Sequence, residues 1–459
     1  MRSDFTAKEI EPGIFLVTNY AGYHVILNAT EYSAFLSGQP EEETKEYLKS
    51  NYFFSEENRE IFIGKYAEAV RDYREYLFSP PCLHIFVLTS SCNLNCVYCQ
   101  ASTHAKGEKM SKEDARKFVD IALSSPSGVL SFEFQGGEPL LNFETLRFIV
   151  EYAEQNKGTK EIQFNLVSNL IALDEEILAF LVEHKVHIST SLDGDMLTHN
   201  LNRPHISENS YLMWQKRYDQ ARAVCSETIG AIQTTTRHSL EKYREIVNSY
   251  IENGFHSVFL RPLTPLGFAA DRWREIGYTA EEFLSFYRNA LTYIIDCNKR
   301  GVRLVEGHAV LFLRKILLHR AGNYTELRSP CGAVLGQIAY HYDGGIYTCD
   351  EGRMLADMGD PAFRIGTSDS KYEDLVRSPV CKTMATASCL ELLPGCSDCV
   401  YAPYCGVCPV LCYAESKSVF PQSPNDYKCS IYKGMLDLMF KYLIHGDEDV
   451  KRIFYEWVE

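Results

Sequence analysis

Three cysteines, Cys92, Cys96 and Cys99, fall within eight residues of one another, directly after an apolar run at 83–89 that reads as a β-strand. Thiolates spaced C-x3-C-x2-C on one loop can wrap a single metal centre, which fixes the chain around them. They satisfy three irons of a [4Fe–4S] cubane and leave the fourth open to a small ligand; the same three also make an incomplete zinc site. Beyond this loop, strand and helix patterns alternate. Strands are predicted at 130–135, 162–167, 187–192, 229–235 and 257–261. Helices are predicted at 111–123, 143–154, 175–183, 211–225, 240–251 and 280–299. Six β–α units in series mean an α/β fold with a parallel sheet under helices. Periodicity does not decide between a partly closed barrel and an open doubly wound sheet.

The flanks differ from this centre. Residues 1–79 read as a separate block: strands at 14–19 and 23–27 around Ala21-Gly22, a helix opened by Asn28 with Glu31 reaching back, helices at 41–50 and 57–77, and Ser79-Pro80-Pro81 as punctuation. Beyond about residue 325 the chain reads as loop-rich, and ten of its 16 cysteines lie from Cys331 to Cys429. An amphipathic helix at 431–443 follows. The expected domains are 1–79, 80–305 and 306–459.

The net charge of −15 sets an acidic surface against phosphate backbones, so nucleic acid is not an expected partner. No apolar run approaches the roughly 18 residues of a membrane span, and residues 1–11 lack the apolar core of a signal peptide. The expectation is a cytoplasmic protein without a membrane partner. In a reducing compartment, clustered cysteines bind metal or do chemistry rather than form disulfides.

The triad, its place after the first strand of the series, and Gly136-Gly137-Glu138-Pro139 after the second resemble the radical S-adenosylmethionine (radical SAM) superfamily. The resemblance implies a partial (β/α)6 TIM-like barrel. It implies a [4Fe–4S] cluster on Cys92, Cys96 and Cys99, with S-adenosylmethionine on the open iron, cleaved reductively to a 5′-deoxyadenosyl radical. Gly136, Gly137 and Glu138 would meet the ammonium group of S-adenosylmethionine. Ser168 and Asn169 after the third strand, and Ser191 and Asp193 after the fourth, resemble the family's ribose and carboxylate contacts. Tyr98 resembles the aromatic residue near adenine. On residue chemistry alone, the serines, asparagine and aspartate are equally helix caps, and Tyr98 equally a packing residue.

The later cysteines read Cys331-x12-Gly344-x4-Cys349, then Cys396-x2-Cys399-x5-Cys405, Cys408, Cys412 and Cys429. This resembles the SPASM domain of peptide-modifying radical enzymes, which carries two auxiliary [4Fe–4S] clusters. Carried over, Cys396, Cys399, Cys405 and Cys429 hold the distal cluster, and Cys331, Cys349 and Cys408 contribute to the proximal one. Two departures stand out. Pro409 occupies the place of a family cysteine, so Cys408 or Cys412 serves instead. The cysteine that full versions carry shortly before the first is missing around Thr325, which leaves an open iron or recruits Cys412, Cys381 or Cys389. Structural zinc is the rival reading. Cys82, Cys225 and Cys297 have no partners in sequence and read as buried apolar residues. Asp350 matches the aspartate that serves as a base in sulfatase-maturing relatives; it equally accepts hydrogen bonds in a loop. Arg261 suits a substrate carboxylate or a surface ion pair.

The block at 1–79 resembles the winged-helix-like recognition element of peptide-modifying systems, which adds a leader peptide as an extra strand. A DNA-binding winged helix or a plain structural cap are the alternatives, and 14 acidic against 8 basic residues, a net −6, oppose DNA. Nearly the whole chain resembles the radical maturase of the His-Xaa-Ser peptide system, on runs such as Leu260 to Leu263, Cys349 to Arg353 and Tyr404 to Pro409. The implied activity is modification of a ribosomally made precursor peptide, by crosslink or oxidation, with an external electron donor. The rivals are a sulfatase-type maturase that oxidises cysteine or serine, a zinc-binding module, and an iron–sulfur electron carrier.

Overall fold

A computed structural model describes residues 2–101, 107–225, 228–322, 324–422 and 426–459. Near the N-terminus, β1 (Thr6–Glu11), β2 (Ile14–Thr18) and β3 (His24–Asn28) form an antiparallel sheet with β2 in the middle. The sequence predicts only two of these strands, because β1 is polar and half-exposed and shows no buried face. The β2–β3 turn closes through Asn19, whose Oδ1 accepts from the N–H groups of Ala21 and Tyr23. Gly22 follows with φ of +78°, and the Tyr73 ring lies where a Cβ would stand. The predicted capping box forms: Asn28 accepts from Thr30 and Glu31, and Glu31 accepts from the Asn28 N–H.

This sheet rests on a short loop far along the chain. Thr18 Oγ donates to the Val400 carbonyl at 2.7 Å, and Tyr73 Oη to the Pro403 carbonyl at 2.7 Å. Tyr404 Oη donates back to the Gly22 carbonyl at 3.1 Å.

The main sheet has nine strands in the order β10-β8-β7-β6-β5-β4-β12-β13-β14. Its parallel part comprises β4 (Leu83–Val87), β5 (Val129–Gln135), β6 (Glu161–Ser168), β7 (His187–Ser191), β8 (Ile229–Thr234) and β10 (Leu260–Arg261). From β4 to β8 each strand pairs with the next in sequence and β10 follows β8, so these six lie in one unreversed order. A doubly wound sheet reverses its order within such a run; these six strands run one way, as in the singly wound, barrel-type alternative. The predicted sixth strand is split: β9 (Ser257–Val258) pairs instead with β11 (Val305–Glu306).

Alternation gives the sheet two unlike faces. Leu130, Phe132, Phe134, Phe164, Leu166 and Ile188 are buried on the helix-covered face. Ser131, Glu133, Gln135, Asn165, Ser189, Ser191 and Thr234 are half-buried on the other. By register Val87, Val167 and Ile232 share that second face, so it is polar in part.

The region after 325 carries more regular structure than its sequence suggests. β12 (Gln337–Tyr340) adds in parallel to β4, and β13 (Gly345–Tyr347) and β14 (Arg364–Thr367) continue the sheet antiparallel. Strands of three or four residues are too short to show a period. The predicted last helix spans Tyr427–His445 and buries Met435, Met439 and Phe440 in the main core, so packing and not metal alone organises this part. A further helix, Glu448–Val458, follows it. Of the three cysteines expected to be buried, only Cys297 is; Cys82, before β4, and Cys225, at a helix end, are half-buried. Among the described residues no helix is long and apolar enough to cross a membrane.

Glu306 ends β11 fully buried, accepting from Tyr287 Oη, the Ala309 N–H and the Leu260 N–H. Burial raises its pKa to about 7. Between the unfolded value of 4.5 and about 7 the folded chain keeps a proton that the unfolded chain has lost. Stability from this group is therefore full at low pH and falls as pH rises through that window. Glu306→Gln should flatten the slope, seen as a smaller drop in urea midpoint between about pH 5 and about pH 8 than in the parent.

Candidate active site

The cysteine loop leaves β4 and is held from below by the turn after β5. The Gly137 N–H donates to the Thr89 carbonyl and the Glu138 N–H to the Ser91 carbonyl, both at 2.8 Å. A Cβ on Gly136 would stand 2.6 Å from the Thr89 oxygen, and one on Gly137 2.2 Å from the Ser91 oxygen. The two glycines thus let two backbones touch. On its other side the loop is pinned by Asn95 N–H to the Pro204 carbonyl and Val97 N–H to the Asn202 carbonyl, both at 2.9 Å.

Glu138 is fully buried, and both its oxygens are engaged inside the protein. Oε1 accepts from Ser168 Oγ at 2.7 Å and the Leu140 N–H at 3.1 Å; Oε2 accepts from the Asn169 N–H at 2.8 Å. Burial raises its pKa to about 7 against these bonds. Asn169 in turn donates to Asn93 Oδ1 at 2.7 Å, with its Nδ2 3.9 Å from Cys92 Sγ. Asp193, also fully buried, accepts from Tyr98 Oη at 2.8 Å, Arg203 Nε at 3.1 Å and the Thr234 N–H at 3.2 Å. Arg203 stacks over the Tyr98 ring and points Nη1 at Cys96 Sγ, 3.9 Å away. Arg203 escapes sequence reading because a lone arginine in a loop looks like surface; Pro204 beside it is the only local hint. Ser191 stands half-buried at the end of β7 on the inner face.

Asp350 opens the helix Asp350–Asp357 after β13. Arg353 donates to it at 2.8 Å, and its Nη2 donates to Gln135 Oε1 at 2.9 Å, the residue just before Gly136. Burial disfavours the Arg353 charge, but Asp350, Asp357 and the nearby thiol of Cys99 more than restore it, so it stays protonated. One buried guanidinium therefore connects Asp350 to the triad's shelf, a link with no sequence signal. Arg261 pairs with Glu326 at 2.9 Å, and Glu326 also accepts from Lys428 and Tyr432 at 3.2 Å each.

The later cysteines fall into two groups. Burial raises the Cys405 thiol to about 12, with Cys429, Cys399 and Cys396 adding to it. Burial raises Cys349 well above the usual range, with Glu351, Cys408 and Cys331 adding. Cys331, Cys349 and Cys408 also share one apolar pocket with Phe363 and Met384. Cys412 sits one helical turn after Cys408, its N–H bonded to the Cys408 carbonyl. Cys381 and Cys389 are turned to the Leu375 carbonyl and to Glu391. A cavity of about 410 Å³ is lined by Cys396, Cys399, Cys405, Cys408, Cys412 and Cys429.

Thiols this deep stay protonated unless a metal pulls them to thiolate. Among the described residues no three His, Cys, Asp or Glu side chains converge as one metal ion requires. Thiols spread around a void, and near the triad donors aimed at sulfur, fit a polynuclear iron–sulfur group.

Residues 86–211 match the radical SAM superfamily. Over 401 residues the chain is 25% identical to the cysteine-type anaerobic sulfatase-maturating enzyme of Clostridium perfringens, covering 81% of this chain and 100% of that protein. The solved structure of native anSMEcpe with bound AdoMet superposes with a TM-score of 0.67 at 21% identity, over 82% of this chain and 99% of that one. Streptococcus suis SuiB bound to precursor peptide SuiA superposes with a TM-score of 0.54 at 14% identity, over 92% and 99%. The fold is the α/β radical SAM fold with a central parallel sheet.

Gly137→Ala drives a methyl group into the Ser91 carbonyl. It should lower the iron held by the reconstituted protein by about four atoms per chain in an iron assay.

Proposed function

This chain is a radical SAM enzyme, and we propose that it modifies a ribosomally made precursor peptide. Cys92, Cys96 and Cys99 would hold the [4Fe–4S] cluster, which when bound would supply the electron for reductive cleavage of S-adenosylmethionine. The chain's own residues frame that event. Gly136 and Gly137 hold the cysteine loop close to the sheet. Glu138 with Ser168 and Asn169, and Asp193 with Tyr98, spend their polar atoms on one another and so fix the rim on which S-adenosylmethionine lies; Ser191 faces it from β7. Asp350, held in place by Arg353, takes the proton released as the substrate is oxidised. Cys396, Cys399, Cys405 and Cys429 hold a distal auxiliary cluster, and Cys331, Cys349 and Cys408 a proximal one, with Cys412 beside it. Residues 80–305 are the radical core, 306–459 the SPASM-like part, and 1–79 the leader-binding block. An external donor supplies the electron.

The observation that carries this reading is the N-terminal sheet seated on the loop between Cys399 and Cys405, with β1 and β3 as its edges. An edge strand offers backbone groups to an extended peptide. The overlap with SuiB, 92% of this chain against 82% for anSMEcpe, takes in residues that the latter leaves out. A sulfatase-type maturase is the second reading, favoured by the position of Asp350 and by the sequence relationship.

Protein reconstituted without oxygen should hold about twelve irons and twelve sulfides per chain. With S-adenosylmethionine, a reductant and a precursor peptide it should release 5′-deoxyadenosine and change the peptide's mass. A chain that instead converts a cysteine-containing sulfatase peptide to the formylglycine product belongs to the second reading. Asp350→Asn should still form 5′-deoxyadenosine while product falls about 100-fold or more.

A further inference from the structure

Lys315 lies on the helix Gly307–Leu317 and is only 3% exposed. Its ammonium group donates to two backbone carbonyls, those of Leu327 and Tyr404. Carbonyl oxygens solvate a charge without neutralising it, and an uncompensated buried ammonium is among the costliest features a core can carry. Several other buried or half-buried cations have carboxylates: Arg74 has Glu391, Arg261 and Lys428 share Glu326, and Arg353 has Asp350, whereas Arg328 lies over the Tyr76 ring. Among the described residues no carboxylate pairs with Lys315. Burial lowers its pKa to about 7; the thiol of Cys405 works against that shift and buried Arg328 adds to it. The carbonyl at 3.2 Å belongs to Tyr404, the residue before that cysteine.

We infer that Lys315 is the built-in counter-ion of the distal auxiliary cluster, and that its charge raises that cluster's potential so that the cluster accepts the electron lost by the oxidised substrate radical. The inference rests on the auxiliary cluster of the proposed function. With four thiolates, an oxidised [4Fe–4S] group is a dianion and its one-electron-reduced form a trianion. A fixed cation in a low-dielectric interior stabilises the trianion more, which shifts the equilibrium towards reduction. Lys315 touches neither substrate nor the radical site; it acts through the cluster, by charge and by holding the loop that carries Cys405.

The test is a redox titration of the reconstituted full-length protein, followed by electron paramagnetic resonance, in the parent, Lys315→Gln and Lys315→Arg. Glutamine keeps a donor for the carbonyls and removes the charge. Lys315→Gln should retain its iron and lower the midpoint potential of one auxiliary cluster by a tenfold change in its equilibrium, 59 mV for one electron; Lys315→Arg should restore it. Unchanged potentials in an iron-replete Lys315→Gln protein overturn the inference alone. A parent protein that holds no auxiliary cluster overturns the proposed function together with it. Should the glutamine chain not fold, Lys315→Met in a Cys396→Ala, Cys399→Ala background answers the same question. There the anion is gone, so removing the charge should raise the urea midpoint; a fall would mean that Lys315 serves packing instead.

Discussion

The buried carboxyl group of Glu138 holds the reactive end of the sheet together. Its main chain bonds the cysteine loop at Ser91, and its side chain bonds Ser168 and Asn169 at the end of β6. Asn169 then returns to the cysteine loop at Asn93. Three strand ends close around one acid, and the two glycines before it admit the close approach. The fit is rigid because every polar atom in it is satisfied internally. A loop that must present three sulfurs in fixed positions needs such backing.

Much of this was legible beforehand, and the rest was not for physical reasons. The C-x3-C-x2-C spacing and the glycine pair are local, so they show in sequence; so do the parallel strands, whose apolar alternation runs for five to eight residues. β1 escapes because it is polar on both faces, and β12 to β14 escape because three or four residues carry no period. The grouping of Cys331 and Cys349 with Cys408 was expected from the family resemblance alone, because no spacing rule reaches over more than fifty residues. Ser168 and Asp193 stand where the resemblance puts ligand contacts, yet their side chains bond protein partners. Arg203 and Arg353 look like surface residues in sequence and are buried cations in the fold.

Charge is distributed with the same economy. Arg203 meets Asp193 beside Cys96, Arg353 meets Asp350 and Asp357 beside Cys99, and Glu326 serves both Arg261 and Lys428. Breaking one side of such a pair strands the other in a low dielectric. The thiols of Cys92, Cys96, Cys331, Cys349, Cys405 and Cys408 present the opposite case: burial raises their pKa values, so metal binding and deprotonation go together there.

The seat of the N-terminal sheet on the 400–404 loop also orders the protein's birth. Thr18 and its partner Val400 are 382 residues apart in the chain. At ribosomal rates of about 5–20 residues per second, the sheet waits roughly 20–80 s for its seat to be made. The shelf beneath Cys92 closes much sooner, since Asn93 and Asn169 are separated by 76 residues. The shelf is thus complete in sequence before the loop carrying Cys399 and Cys405 emerges, and the helices Tyr427–His445 and Glu448–Val458 emerge after that loop.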